Sequence, residues 1–311
     1  MQAEKLKILE DVFGDYRVTG SEFLFLCPRC KHHKLKLSIN ISKDCFKCWV
    51  CSYSGIGIRR IVQRHGSYED RKAWAEFDSR FDISEFEKLL EAAEEEKEQT
   101  LKLPTEFKSL VAPNKSHASI KVRNYLRRRG LTDIDIINWK IGYCGTGQYE
   151  ERIIIPSFNK DGYVNFFVAR SYEDHWKKYM NPKVPRNNIV FNELFLDFAT
   201  DLVIVEGAFD AIKAGLNSVP LLGSTLSNKS KLLKEIVRND TPVYLALDSD
   251  AERKSIDIIK ELLKYGLEVH KIDTRGYSDV GDMSKKTFQK RKQEALLINS
   301  DNFLSYQLSR V

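Results

Sequence analysis

The stretch CPRCKHHKLKLSINISKDCFKCWVC, from Cys27 to Cys51, holds five of the six cysteines in a chain of 311 residues. A knuckle of the Cys-x-x-Cys type turns two thiolates toward one point. Two such knuckles, about this far apart, close a tetrahedral site of the ribbon type around one metal ion. Cys27-Pro-Arg-Cys30 is the first knuckle. Cys45, Cys48 and Cys51 follow at intervals of three, so the second pair is either Cys45/Cys48 or Cys48/Cys51.

The residues after each cysteine favour the later pair. Cys51 leads into Ser54-Gly55, a turn signal, and then Ile56, Ile58, Ile61 and Val62, an apolar pattern suited to packing beneath a knuckle. Phe46 and Trp49 flank Cys48 and suit either side of a short strand. One structural zinc on Cys27, Cys30, Cys48 and Cys51 is therefore expected, with Cys45 a half-buried strand residue.

Charge is unevenly spread. Cys27 to Arg64 carries nine Lys/Arg against one acid, and Ser67 to Glu98 carries five against twelve Asp/Glu. A basic block beside an acidic one predicts a phosphate-facing module followed by a solvated connector. Lys34, Lys36 and Lys43 suit phosphates, and Trp49 and Phe46 suit stacking on bases. The start, MQAEKLKILEDVFGDYR, lacks the apolar core of a signal peptide, and no stretch approaches the ~18 apolar residues of a membrane span. A cytoplasmic protein with no membrane partner is the expectation.

Ser84 to Gln99 reads as a charged helix, and Leu101-Lys-Leu-Pro104 begins a new element. Ser119 to Arg129 reads as an amphipathic helix bearing Val122, Tyr125 and Leu126 on one face and Arg123, Arg127, Arg128 and Arg129 around it. Gly130 ends that helix and Thr132 caps the next. Arg152 to Phe158 and Tyr163 to Arg170 read as two strands joined by an Asn-Lys-Asp-Gly turn.

From Asp201 the pattern alternates. Strands are expected at 202–205, 219–222, 243–247 and 269–272, with helices at 209–214, 228–237 and 256–265 between them. This order predicts a parallel sheet covered by helices, whose functional residues gather beyond the carboxyl ends of the strands. Glu206, then Asp248 and Asp250, then Asp279 and Asp282 stand at those ends. Asp248 and Asp250 face the same way if the strand continues through them. Carboxylates crowded at one edge repel unless a cation lies between them. An oxygen-only ligand set suits magnesium or manganese and phosphoryl chemistry.

These motifs carry a resemblance. FKCWVCSYSG with the upstream CPRC resembles the zinc-binding domain of the replicative DNA primases of bacteria and phages, which supports leaving Cys45 out. Glu206-Gly207, Asp248-Ser-Asp250 and Asp279-Val-Gly-Asp282 resemble the signature of the Toprim domain in those enzymes, although Gly281 departs from the acidic or amide pattern of the third motif. The resemblance covers about residues 5 to 290.

It implies an α/β protein: an N-terminal zinc ribbon (1–83), a charged linker (84–104), a mixed α+β basic subdomain (105–199), a Toprim parallel α/β sheet (200–285) and a C-terminal tail (286–311). It implies that Glu206 has a general acid/base role, that Glu206, Asp248, Asp250 and Asp279 hold one or two magnesium or manganese ions, and that Asp282 completes the acidic set. Arg170, Lys178, Tyr179 and Asn181 match the family's segment for nucleotide and template, and Lys34, Lys36 and Trp49 the template contacts of the ribbon.

The function implied is synthesis of short RNA primers on single-stranded DNA from ribonucleoside triphosphates. No Walker A loop is present and few residues come after Met283, so a separate replicative helicase is expected, with a single-strand-binding protein and a polymerase nearby. The compact plan is closest to phage primases. The rival readings are a Toprim nuclease or RNA-processing enzyme with a zinc module, and a recombination mediator that would not need the full set of acids.

Overall fold

A computed structural model describes residues 2–77, 100–112, 115–299 and 302–309. The chain forms two compact units, Met1–Glu87 and Lys88–Val311. The charged helix expected over 84–99 lies outside the described residues. Residues 100–104, placed with it as linker, are not all free: the Leu101 N–H donates to the Val164 carbonyl at 2.7 Å, so this stretch already belongs to the second unit.

In the first unit, helix α1 (Gln2–Phe13) precedes an antiparallel meander of five strands: β1 (Arg17–Thr19), β2 (Glu22–Phe25), β3 (Leu37–Asn40), β4 (Cys45–Cys48) and β5 (Ser54–Ile56). Helices α2 (Ile58–His65) and α3 (Tyr68–Glu76) come next. The period of two along β4 turns Phe46 and Cys48 inward and Lys47 outward. The core joins Phe13, Phe25, Leu37, Ile39 and Phe46 to Ile58, Ile61 and Val62 of α2 and Trp74 of α3. Ser67 and Asp70 close a reciprocal capping box that starts α3.

The second unit begins with β6 (Phe107–Ser109), α4 (His117–Arg128), α5 (Asp133–Asn138), β7 (Gly142–Cys144), β8 (Arg152–Phe158) and β9 (Val164–Ser171). The four strands form one antiparallel sheet in sequence order. Pro156 is tolerated in β8 because β7 pairs with that strand only over Arg152–Ile154, so no ladder bond is lost on that side.

The alternating region gives β10 (Leu202–Val205), α6 (Ala208–Ala214), β11 (Ser218–Pro220), α7 (Lys231–Asn239), β12 (Val243–Ala246), α8 (Glu252–Lys264), β13 (Val269–Lys271), α9 (Lys285–Gln293), β14 (Leu296–Ile298) and α10 (Phe303–Leu308). The sheet order is β11-β10-β12-β13-β14, with the first four strands parallel. The expected parallel sheet is present in β10–β13, and β14, from beyond residue 285, adds an antiparallel edge to it. Residues 286–311 are not a separate tail, because they supply that edge strand, and Ile298 is buried in register with Val269.

The chain leaves β10 in one direction to reach β11, then returns to place β12 on the other side. That reversal opens a crevice beyond the carboxyl ends of β10 and β12. Glu206 directly follows β10, and Asp248 lies two residues beyond β12.

Candidate active site and zinc centre

The sulfurs of Cys27, Cys30, Cys48 and Cys51 lie within 4.8 Å of one another. Cys27 and Cys51 are 3.8 Å apart, as are Cys30 and Cys48. A tetrahedral ion with metal–sulfur bonds of about 2.3 Å holds its sulfurs roughly 3.8 Å apart, so the cluster has the dimensions of a zinc site. The residue after each knuckle, Lys31 and Ser52, takes positive φ (49° and 58°), which turns the chain sharply around the ion's position. Burial pushes the Cys27 thiol up to about 12. At Cys48 burial also opposes ionisation, but the N–H groups of Cys51 and Val50 outweigh it and bring the thiol down to about 7. Thiolates in such a cluster call for a cation.

Cys45 sits on β4, half-buried and outside the cluster. His32 and His33 stack on each other at 4.4 Å, and His32 Nδ1 accepts the Lys34 N–H at 3.1 Å; neither joins the sulfurs. The two aromatics beside the knuckle part company. Trp49 is 66% exposed with Lys47 Nζ 4.7 Å above its ring, whereas Phe46 is buried against Tyr53 and cannot reach a base. Lys34 is exposed and Lys36 partly so.

In the second unit, Glu206 and Asp248 face the crevice between β10 and β12. Glu206 Oε1 and Asp248 Oδ1 are buried without a hydrogen-bond partner. Glu206 Oε2 lies 4.0 Å from Lys254 Nζ. Burial raises the Asp248 carboxyl to about 7, helped by the charges of Asp210, Glu206, Asp279 and Asp250. Asp248 and Asp250 do not share a strand face, contrary to expectation, since β12 ends at Ala246 and the Ala251 N–H turns back to the Asp248 carbonyl at 3.0 Å. Asp248 is half-buried and Asp250 exposed.

The third loop is likewise divided. Asp279 is partly buried and its Oδ1 accepts the Asp282 N–H at 2.9 Å, capping a short 3-10 turn over Val280–Asp282; the Asp282 side chain is exposed.

Asp210 is the acid that reading the sequence missed. It is 7% exposed, and burial and Asp279 raise it to about 6. Its Oδ2 accepts the Gly207 N–H at 2.9 Å and its Oδ1 accepts the Gly281 N–H at 2.8 Å, so one carboxylate joins the first and third acidic loops. A Cβ at Gly207 would lie 2.9 Å from Asp210 Oδ2, which makes glycine the residue for that turn. The signal was present: Asp210 stands at the third position of α6, where a carboxylate caps the helix.

An oxygen-only set with two orphaned buried oxygens fits a magnesium or manganese ion. The acids are close enough to perturb one another. Among the described residues, however, only the cysteine cluster brings three or more candidate ligand atoms within 4.8 Å.

A cationic cluster faces α6. Tyr125 Oη accepts Arg170 Nε at 2.7 Å and Arg129 Nε at 3.0 Å. Both guanidiniums lie against the ring of Phe209, Arg129 at 5.0 Å and Arg170 at 5.4 Å. Arg170 also bonds the Tyr179 hydroxyl. Arg129 and Tyr125 were legible only as parts of an amphipathic helix. Lys178 is exposed, and its carbonyl accepts the Ser171 N–H at 2.9 Å. Asn181 Oδ1 accepts the Ala169 N–H at 3.0 Å, so its amide holds this strap against β9.

The unit with this acidic crevice and cationic wall shares the fold of the catalytic core of DNA primases. It superposes on a DnaG primase catalytic domain bound to single-stranded DNA with a TM-score of 0.53, at 17% identity, covering 73% of this chain and 83% of that one. The Escherichia coli primase catalytic core gives 0.51 at 18% identity, covering 62% and 78%. No family profile matches the chain. By sequence it is similar to the DNA primase of Campylobacter jejuni, 24% identical over 298 residues covering 80% of this chain and 48% of that protein. It is also similar to the DNA primase of Helicobacter pylori, 24% identical over 310 residues covering 82% and 54%. The chain spans about half the length of these curated relatives.

Proposed function

We propose that this protein is a DNA primase, making short RNA primers on single-stranded DNA from ribonucleoside triphosphates. The observation that carries the reading is the pair of orphaned oxygens, Glu206 Oε1 and Asp248 Oδ1, at the switch point of a primase-like sheet. An unpaired buried oxygen is costly unless a ligand completes it.

In the reaction, the 3′-hydroxyl oxygen of one nucleotide bonds to the α-phosphorus of the next. The bond from that phosphorus to the bridging oxygen breaks, and pyrophosphate leaves with the electron pair. Glu206 takes the hydroxyl proton and passes it to solvent. Glu206, Asp248, Asp250 and Asp279 would hold the magnesium or manganese, which would make the hydroxyl more acidic and neutralise the leaving group. Asp210 keeps the first and third loops in register. Arg170 meets the incoming phosphates, with Lys178 a second exposed cation on the same strap, and Tyr125, Tyr179 and Phe209 fix the guanidinium for that task. Trp49, with Lys47 over its ring and Lys34 and Lys36 nearby, offers the template a stacking platform and phosphate contacts. Zinc on the four cysteines cross-links the knuckles that carry that platform.

The test is primer synthesis by the whole protein on mixed-sequence single-stranded DNA with labelled ribonucleotides and magnesium or manganese, beside Asp248→Ala. Template-dependent short RNA that vanishes in the variant is expected, with a higher yield when a replicative helicase is added. Metal-dependent cleavage of the DNA in place of synthesis would overturn this reading in favour of a nuclease.

A further inference from the structure

We infer that the cavity beside the third acidic loop is a separate phosphate subsite, built on Lys213, that takes the triphosphate of a nucleoside triphosphate. The cavity measures about 540 Å³ and is walled by Tyr125, Arg128, Arg129, Lys213, Asp282 and Ser284. Gly281 forms part of the same wall, and its N–H is the one held by Asp210, so the cavity adjoins the acidic site.

Lys213 is 6% exposed, yet among the described residues its ammonium has only the Gly130 carbonyl, at 3.5 Å, the outer limit of a hydrogen bond. A buried ammonium is unfavourable without a partner. Neighbouring cations have theirs: Lys285 pairs with Asp135, Arg123 with Asp133 at 2.9 Å, and Lys231 with Glu193 at 2.7 Å. Among the described residues no carboxylate lies within 4.0 Å of the charged nitrogens of Lys213, Arg128 or Arg129. Those three cations share the cavity with one acid, Asp282. Burial, and after it the charge of Lys285, lower the amine's pKa, so the surroundings disfavour the charged form.

The backbone is shaped around this group. Gly130 ends α4 at φ +70°, and a Cβ there would lie 2.7 Å from Lys213 Nζ. Three cations on one cavity wall suit a compact polyanion better than a single backbone phosphate.

The inference rests on the nucleotidyl-transfer reading for its biological meaning. Joining the first two nucleotides brings two triphosphates to one site, and only one of them is cleaved. Arg170 and Lys178 serve one; the Lys213 cavity serves the other. Its test does not depend on turnover. Binding of inorganic tripolyphosphate, and separately of a single-stranded oligodeoxynucleotide, would be measured calorimetrically on the whole protein without magnesium.

Lys213→Met should weaken tripolyphosphate binding roughly tenfold or more, the worth of a charged hydrogen bond, with DNA binding changed less than twofold and Lys213→Arg largely retaining affinity. Arg128→Ala, an exposed change on the same wall, should weaken it several-fold and serves if Lys213→Met does not fold. Unchanged tripolyphosphate affinity in both folded variants would overturn the subsite. Loss of DNA affinity with tripolyphosphate binding intact would overturn the triphosphate assignment in favour of the template backbone. Lys213-dependent binding by a protein that makes no primers would support the subsite and refute the primase reading.

Discussion

Asp248 has a stability consequence that its surroundings impose. Its carboxyl is held at about 7 by burial and by four neighbouring acids, whereas an aspartate in the unfolded chain titrates near 3.9. Between about pH 4 and pH 7 the folded protein therefore binds more protons than the unfolded chain. Stability must fall as pH rises through that window and level off above it. Asp248→Asn removes this contribution. In magnesium-free buffer the variant is expected to resist urea better than the parent at pH 8, with the advantage gone by about pH 4. Equal midpoints at pH 8 would show that Asp248 is not strained by its neighbours. Asp210 lies in the same field, and its role was hidden because a carboxylate at a helix start reads as a cap. The cap is real; the second bond, to Gly281, comes from a residue 71 positions away.

The elements at the chain's end do more than extend it. Strand β14 closes the edge of the sheet, and α10 places the Tyr306 hydroxyl on Glu252, the first residue of α8 and two positions beyond Asp250. The Asp248–Asp250 turn is thus braced by the last helix. Tyr306→Phe is expected to cost about 1 kcal/mol of stability, the net worth of one hydrogen bond, and to speed amide exchange over residues 248–252. Unchanged exchange there would remove α10 from the site's support.

Strands β8 and β9 around the Asn159–Gly162 turn, and the strands and helices between Leu202 and Lys271, were legible from periodicity and turn residues to within a few positions. Strand β14 was not, because Leu296–Ile298 is too short and too highly charged in its flanks to stand out. Its strand character comes from pairing with β13. The expected end of β12 at Leu247 lies one residue past the observed Ala246, because the apolar run Val243–Leu247 outlasts the ladder.

Considered whole, the protein holds two separate compact units, and the first has a core of modest size tied by strands of three or four residues. In such a small module metal binding contributes directly to folding. Cys48→Ser is expected to abolish zinc binding and amide protection over residues 17–56 while residues 142–272 stay protected. Cys45→Ser is expected to keep one zinc per chain. Zinc loss in Cys45→Ser would mean a different ligand set.

Spacing alone left Cys45/Cys48 and Cys48/Cys51 open as the second pair, and the turn and apolar run after Cys51 favoured the four cysteines whose sulfurs the fold brings within 4.8 Å of one another. Local periodicity was enough to expect a parallel sheet covered by helices, with Glu206 and Asp248 at the carboxyl ends of its strands, while the order of the strands came from the fold. Nothing local could pair Asp210 with Gly281, lay Arg129 and Arg170 against one phenylalanine, bury Phe46 while exposing Trp49, or bury Lys213 beside a cavity with no ion pair to it among the described residues. Those relations arise when distant segments pack, since burial and charge balance are properties of the surroundings a side chain acquires and not of its place in the chain.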